Sequence, residues 1–258
     1  RTPNIPAIIT NPDAQVNSFI QEFNPQLGAE TQTSFMDYSA SFTIGNQIDL
    51  NKNKETTLRN PKLGYIFSLS YKNEERYYDE VTYAEFQRSQ NTNENELIYA
   101  DRQDGQLSTH NNLVGLLGGL AYKTKKSKYR ATVMRLQNGE SRAGQFLLDQ
   151  NPQADGRSGY LGGSDNLEYY ERSLTNFLFN GKHVFDSKGW EIDWRISPTI
   201  SSADDPDIRK TAFTFAVDTS FQAGNAGNPS RLWRELDEFN VVSRIDFTKK
   251  HKLLDSDA

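Results

Sequence analysis

The sequence predicts an all-β fold, an antiparallel meander that forms an arc of a large transmembrane β-barrel. Two runs carry this prediction, because every second residue is apolar or aromatic in most of their length: Trp190, Ile192, Trp194 and Ile196, then Phe239, Val241, Ile245 and Phe247. Only an extended strand places every second side chain on one face. Short turns that contain lysine also alternate along the chain with long polar segments. In an antiparallel meander this alternation puts the long loops on one edge and the short turns on the other.

Composition is the third observation that favours such a sheet. Hydrophobic residues make up only 35% of the 258 residues and the mean hydropathy is -0.76, yet the chain has 12 Tyr, 15 Phe and 3 Trp. A chain that is poor in aliphatic and rich in aromatic residues suits a sheet with one apolar face better than a close-packed core. The aromatic content and the regular alternation also argue against a disordered chain.

Charge and residue types exclude several classes of function. The net charge is -5, from 29 basic and 34 acidic residues, and no basic domain stands out, so we expect no nucleic-acid partner. Cysteine is absent, and His110, His183 and His251 lie far apart, so no metal centre is predicted. No catalytic motif occurs, and we expect neither an enzyme nor a cofactor. Without a run of about 18 apolar residues, a membrane would have to be crossed by strands.

The chain divides into two regions of different character. Residues 1–30 contain four prolines and are expected to form an extended Pro-rich segment. Residues 31–258 are expected to form a partial outer-membrane β-barrel of about seven strands, with long polar loops at about 72–104, 137–166 and 201–230. Because single-chain bacterial barrels have an even number of strands, an odd count indicates an arc of a larger barrel.

Three short segments resemble a known family. They are Asp205-Pro206-Asp207-Ile208-Arg209, the run from Arg231 to Asn240 with the pattern RxWRxLxExN, and Phe23-Asn24-Pro25 ahead of the first strand. Together they resemble the barrel of TonB-dependent outer-membrane receptors of the Bacteroidota type. The resemblance covers essentially the whole chain, but its motifs are concentrated in the last fifty residues or so.

The resemblance implies a location in the cell outer membrane and a large barrel, plugged by a separate domain, that imports a nutrient. The partners it implies are outer-membrane lipid, the plug domain and the TonB complex, a surface lipoprotein and an unknown nutrient ligand. Barrels of about 22 strands do have a plugged lumen. The sequence shows no plug domain, no coupling segment and too few strands to close, so we expect it to be a segment of a parent receptor.

Two sets of side chains are candidates for functional contacts. The charged residues Arg209, Arg231, Arg234, Glu235 and Glu238 are expected to face the lumen and to contact the plug or the loops. Alternatively, they are paired charges that fix strand register. A second set, Trp190, Trp194 and Trp233, is predicted to lie at the membrane interface, where indole rings are favoured, with ligand stacking as the alternative.

A protein of a different class remains open from the sequence. A soluble or surface-exposed β-sandwich binding module, such as an adhesin or a carbohydrate binder, also has alternating strands. It predicts that the apolar faces pack against each other across two sheets. The barrel prediction fails if Ile192, Trp194 and Ile245 are packed against a second sheet of the same chain.

Overall fold

The fold is a single long sheet preceded by one short helix. The computed structural model describes residues 13–50, 61–91, 93, 95–185, 189–215, 219–221, 229–250, 252–253 and 256–257. The helix is α1 (Asp13–Gln21). The strands are β1 (Tyr38–Asp49), β2 (Lys62–Arg88), β3 (Leu97–Lys123), β4 (Ser127–Gln150), β5 (Leu161–Phe185), β6 (Trp190–Phe215), β7 (Thr219–Phe221), β8 (Ser230–Lys249), β9 (Lys252–Leu253) and β10 (Ser256–Asp257).

Seven long strands form an antiparallel meander, which confirms the predicted all-β class and strand order. Each of β1 to β6 pairs with the next strand along the chain, while the short β7 and the long β8 both pair with β6. Within the described residues, β1 pairs only with β2 and β8 only with β6, so the sheet is not closed. The strands thus form an arc with two free edges.

The strands are much longer than the sequence indicates. Most of the segments predicted as long loops are strand, because β2 and β3 each contain 27 residues and β4 contains 24. Residues 89–96 and 151–160 connect strands at one edge, whereas residues 50–61, 124–126 and 186–189 connect strands at the other edge. The predicted loop lengths were therefore wrong, and the longest of these five connections, residues 50–61, lies on the edge of the short turns. Both faces of these strand extensions are polar, so they lack the alternation that identifies a strand.

The expectation of an extended segment over residues 1–30 is wrong for α1. Val16, Phe19 and Ile20 follow the spacing of one helical face, and the helix Asp13–Gln21 contains no proline. Proline lies just before the helix at Pro12 and after it at Pro25, where it does not interrupt the hydrogen bonds of the helix. Residues 1–12 lie outside the described residues.

The sheet has two chemically different faces, which we call face A and face B. The lower half of the sheet adjoins the short turns and comprises residues 42–49, 62–69, 116–123, 127–135, 175–185, 190–200 and 239–249; the upper half is the remainder of the long strands. Register aligns Trp194 with Ile245 of β8 and with Gly181 of β5. Because side chains alternate between faces, these three residues define face A across three strands.

Face A of the lower half is apolar on all seven long strands. Its side chains include Phe42, Ile44, Ile48, Leu63, Tyr65, Phe67, Leu69, Leu116, Leu120, Tyr122, Tyr129, Val133, Phe177, Phe179, Phe185, Trp190, Ile192, Trp194, Ile196, Ile200, Phe239, Val241, Ile245 and Phe247. The polar positions on the same surface are Asn46, Ser127, Arg135, Thr175, His183, Ser243 and Lys249. Face B opposite is mostly polar, with residues such as Asp193, Arg195, Arg244 and Asp246.

No second layer covers the lower half of face A in the part of the chain that the structure describes. The only other sheet there is the pair of two-residue strands β9 and β10. Ile245 remains 62% exposed and Phe247 68% exposed. The packing against a second sheet that a sandwich requires is therefore not present among these residues.

Candidate functional site

The apolar surface on face A of the lower half, which we call the apolar band, is the largest functional candidate. On β6 it extends from Trp190 to Ile200, which is ~35 Å along the strand at about 3.3 Å per residue. Phe239, at its upper limit on β8, is 67% exposed. Single exposed apolar residues are ordinary, whereas a contiguous apolar surface marks a site of contact with a partner or a membrane.

Aromatic rings concentrate near the short turns of the apolar band. Tyr122 and Tyr129 stack with ring centroids 6.5 Å apart, and Tyr129 meets the His183 ring edge-on at 5.1 Å. The Lys249 ammonium lies 5.2 Å from the centre of the Trp190 ring. Trp190 and Trp194 thus belong to one aromatic row along the lower margin of the sheet.

The indole of Trp194 is fixed from two sides. A Cβ atom placed on Gly181 would lie 2.5 Å from the Trp194 ring, so only glycine allows this close approach. The indole nitrogen lies 3.2 Å from His183 Nε2. Because indole nitrogen can only donate, His183 Nε2 accepts, and its Nδ1–H donates to the Ser127 hydroxyl at 3.0 Å.

Trp233 lies apart from the other two tryptophans. It comes six positions before Phe239 on β8, in the upper half of face A. Its ring packs on Phe23 with 5.6 Å between the ring centroids. The three residues predicted as interfacial aromatics therefore separate into Trp190 and Trp194 in the aromatic row and Trp233 against the segment that precedes β1.

A β-bulge in β6 places Asp205 and Asp207 on opposite faces of the sheet. Register shifts between Asp205 and Ile208, and Asp207 adopts a positive φ of 59°, a backbone conformation that Asp tolerates better than most residues. Asp205 lies on face B, and Asp207 lies beside Arg209 on face A. A bulge re-aims side chains in this way because the extra residue resets the alternation.

On face B, Asp205 is buried between two arginines. The carboxylate is 4% exposed and contacts Arg172 Nη2 at 2.6 Å and Arg234 Nε at 2.7 Å. Arg172 also lies over the Tyr170 ring at 5.3 Å, and Arg142 lies over it at 5.2 Å. Arg234 is thus the predicted residue that enters this ion network, and it does so as a paired charge.

Tyr170 at the centre of this network stays neutral over a wide pH range. Burial raises the pKa of Tyr170 to about 12, and a hydrogen bond from its hydroxyl to the Glu168 carboxylate acts in the same direction. The alternation did not single out Tyr170, Arg142 or Arg172. The only signal available was a row of bulky and charged residues at every second position, which is also common on solvated strands.

Glu238 lies apart from this network, at a shallow depression on face B of about 380 Å³. The depression is lined by Leu113, Leu136, Leu174 and Leu236 together with the neighbouring Arg172. Glu235 follows the opposite face of β8, since its parity is that of Trp233. The five predicted charges therefore do not form one site.

On the upper half of face A, two of the predicted arginines hold the segment Phe23–Leu27. Arg231 donates to the Asn24 carbonyl, and Arg209 Nη1 donates to the Gln26 carbonyl at 2.7 Å. The Arg231 guanidinium also lies 4.9 Å from the centre of the Phe23 ring. All three motifs quoted for the family resemblance meet at this point, which sequence spacing alone did not indicate.

Comparison with protein-family models and with curated proteins gives no match for this chain. None of the described helices is long and apolar enough to cross a membrane. Among the described residues, no group of three or more His, Asp or Glu side chains is arranged to hold a metal ion. The TonB-dependent receptor family therefore stays a prediction, and the function has to be argued from the sheet itself.

Proposed function

We propose that this chain is part of the barrel wall of an outer-membrane, TonB-dependent receptor that binds and imports a nutrient. In this assignment the apolar band meets lipid and face B of the lower half meets the lumen. The observation that carries the proposal is the apolar band itself, which continues across seven paired strands and has no protein layer over it among the described residues.

The dimensions of the apolar band support contact with a bilayer. A tilted transmembrane strand needs about 9–11 residues to cross the hydrocarbon core. The run from Trp190 to Ile200 has this length, and so does the run from Phe239 to Phe247 on β8. Outside these runs face A becomes polar at Ser202 and Asp237, as expected where a strand leaves the bilayer.

The aromatic row supports the same orientation. Indole and phenol rings favour the boundary between hydrocarbon and water, and barrels carry girdles of such rings. Trp190, Trp194, Tyr122 and Tyr129 lie near the short-turn margin, where a periplasmic interface would be. Lys249 beside Trp190 provides a charge that would reach the headgroup level.

The long strands continue far past the apolar band on the upper side, which supports a barrel wall that extends beyond the membrane. With 27 residues, β2 is more than twice as long as a crossing requires. Its upper half carries paired charges on face B, where Lys72 and Arg76 hold the pKa of the Glu74 carboxyl below its ordinary value. Such strands would project into water on the side away from the aromatic row, which is the extracellular side in this orientation.

The partners of the proposed receptor come from the resemblance. A plug domain, the TonB complex, a surface lipoprotein and a nutrient ligand are expected for the parent protein. Face B offers the surface that a plug would contact, because its charges Arg234 and Glu238 are exposed. Charged side chains are ordinary in a polar barrel interior, so paired charges that fix register are the simpler role for Arg234.

The test is cell fractionation of the parent protein with detergent extraction. The proposal predicts recovery in the outer-membrane fraction and release only by detergent. Recovery in the soluble fraction without detergent would contradict it. The sandwich alternative is tested on the isolated chain by circular dichroism and light scattering, since a soluble module should give a monodisperse monomer with a cooperative melting transition.

A further inference from the structure

We propose that the upper half of face A carries a binding site for an extended peptide segment that begins with an aromatic residue. In the structure the chain's own segment, Phe23–Leu27, occupies this site as an intramolecular ligand. The inference rests on side-chain contacts in the upper half of the sheet, so it stands independently of the membrane assignment.

The aromatic ring is recognised from two sides. Phe23 lies with its ring centroid 5.6 Å from that of Trp233 and 4.9 Å from the Arg231 guanidinium carbon. A planar cation over one part of the ring and an indole beside it favour any aromatic residue at this position. Phe19 of α1 adds an edge-on contact at 4.9 Å, which belongs to the ligand side.

The following residues are recognised through their backbone. Arg231 donates to the Asn24 carbonyl, Arg209 donates to the Gln26 carbonyl at 2.7 Å, and the Thr211 hydroxyl donates to the Leu27 carbonyl at 3.3 Å. Carbonyl oxygens are present in every residue, so these contacts fix an extended path without selecting the side chains. The side chains of residues 24–27 remain exposed, which agrees with this mode of recognition.

The site is held in place by the β-bulge. The Asp207 carboxylate contacts Arg209 Nε at 3.0 Å and Arg231 Nε at 3.2 Å. The side chains of both arginines are only 16–17% exposed and that of Asp207 is 20% exposed. One carboxylate thus orients both guanidiniums toward the ligand, and a site whose donors are already oriented binds at lower entropic cost.

The segment also carries constraints of its own. The Asn24 side-chain oxygen accepts a hydrogen bond from the Gln26 N–H at 2.9 Å, and Pro25 has a fixed φ. Gly28 then passes the Asp165 carboxylate so closely that an added Cβ would lie 3.1 Å from its oxygen. The preferred ligand is therefore aromatic-x-Pro-x-x-Gly, with backbone carbonyls available after the ring.

A free peptide of this pattern must compete with the segment already attached to the chain. Tethered ligands have effective concentrations of about 1 mM for short linkers. The unmodified protein should therefore bind a free peptide weakly, and a protein whose own segment has been weakened should bind it well. This difference separates a specific site from a generally adhesive surface.

The experiment uses the full parent protein in detergent and a fluorescein-labelled peptide with the sequence of residues 19–30. Fluorescence anisotropy should show binding to the F23A/P25G variant at least about tenfold tighter than to the unmodified protein. Adding R231A should then weaken binding about tenfold or more, because it removes a charged hydrogen bond and the ring contact. Adding R244A, which lies on face B of the lower half, should leave binding unchanged.

Equal binding to the unmodified protein and to F23A/P25G would overturn the proposal, and so would absence of binding to the variant or insensitivity to R231A. A second measurement avoids variants altogether. Unlabelled peptide at several times the effective concentration should raise amide hydrogen exchange in residues 13–28 of the unmodified protein. Exchange that does not change would count against the site.

Discussion

The lower and upper halves of this sheet share the same hydrogen-bonded strands but differ in what their side chains contact. In the lower half, one face is apolar and exposed, as at Val241 with 50% exposure, and the other is mostly polar. In the upper half both faces are largely polar, and ion pairs such as Asp205 with Arg234 connect neighbouring strands. If the apolar band faces lipid, as we propose, the two halves of one hydrogen-bonded sheet are adapted to two solvents by their side chains alone.

The largest expected effect comes from placing a charge on one face of the lower half. Val241 and Val242 are neighbours on β8 with similar exposures of 50% and 58%, but they lie on opposite faces. We expect V241R to destabilise the inserted protein by about 2–3 kcal/mol, because Val241 lies on the lipid face two residues inside the upper limit of the apolar band, and V242R to cost little. Urea unfolding in lipid vesicles measures the difference, and equal effects would show that the two faces meet the same solvent.

The next effect concerns the close approach in the aromatic row. G181A places a methyl group 2.5 Å from the Trp194 ring, so the ring must move and we expect a loss of about 1–3 kcal/mol. G64A is the matched control, because a Cβ there has no neighbour nearer than 3.8 Å. Trp194 emission and urea unfolding should change for G181A and remain almost unchanged for G64A. A neutral G181A would mean that the indole is not fixed by this contact.

A smaller effect is expected from the ion network of the upper half. D205A removes a carboxylate whose side chain is 6% exposed and contacts two arginines, and we expect it to cost about 1–2 kcal/mol. D246A removes a carboxylate whose side chain is 40% exposed, in the pair with Arg244 on face B of the lower half, and should cost less than about 0.5 kcal/mol. Hydrogen exchange in β6 and β8 measures both, and equally small losses for the two variants would show that the network behaves as surface charge.

The smallest expected effect is a change in stability at high pH, caused by ionisation of the Tyr170 phenol. The ordinary pKa of tyrosine is 10.0, and burial raises that of Tyr170 to about 12. The unfolded chain therefore loses this proton at lower pH than the folded one, so the folded state is unaffected below pH 10 and loses stability as the pH rises toward 12. The ultraviolet difference spectrum between the unmodified protein and Y170F should show one phenol that ionises near pH 12. Ionisation near pH 10 would contradict the burial.

Alternation in the sequence predicted the lower half well and the upper half poorly, for a physical reason. Where one face is apolar, as in the run from Phe239 to Phe247, the period of two identifies both the strand and its faces. The upper halves of β2, β3 and β4 expose polar groups on both faces, so their sequence resembles that of a loop. Their pairing is specified by neighbouring strands, which a single segment does not reveal.

Which charged side chains lie on the same face could also not be predicted from the sequence. Without a bulge, Asp205, Asp207 and Arg209 would lie on one face of β6. Arg231 and Trp233 lie together on face A of β8. The extra residue at the bulge sends Asp205 to face B and leaves Asp207 with Arg209 on face A. Likewise, the contact between Arg231 and Asn24 joins residues 207 positions apart, and no local pattern predicts such a contact.

The central claim, that the apolar band faces lipid, can be measured residue by residue. The chain contains no cysteine, so single cysteines along residues 230–249 can carry a nitroxide in the parent protein reconstituted into vesicles and freed of any other cysteine. Collision rates with oxygen, which concentrates in lipid, and with a water-soluble nickel complex should alternate with period two over residues 239–247. Over residues 230–236 we expect access from water on both faces, reduced only at Arg231 and Trp233 beneath the Phe23–Leu27 segment. Equal access of the nickel complex to Val241 and Val242 would contradict the account.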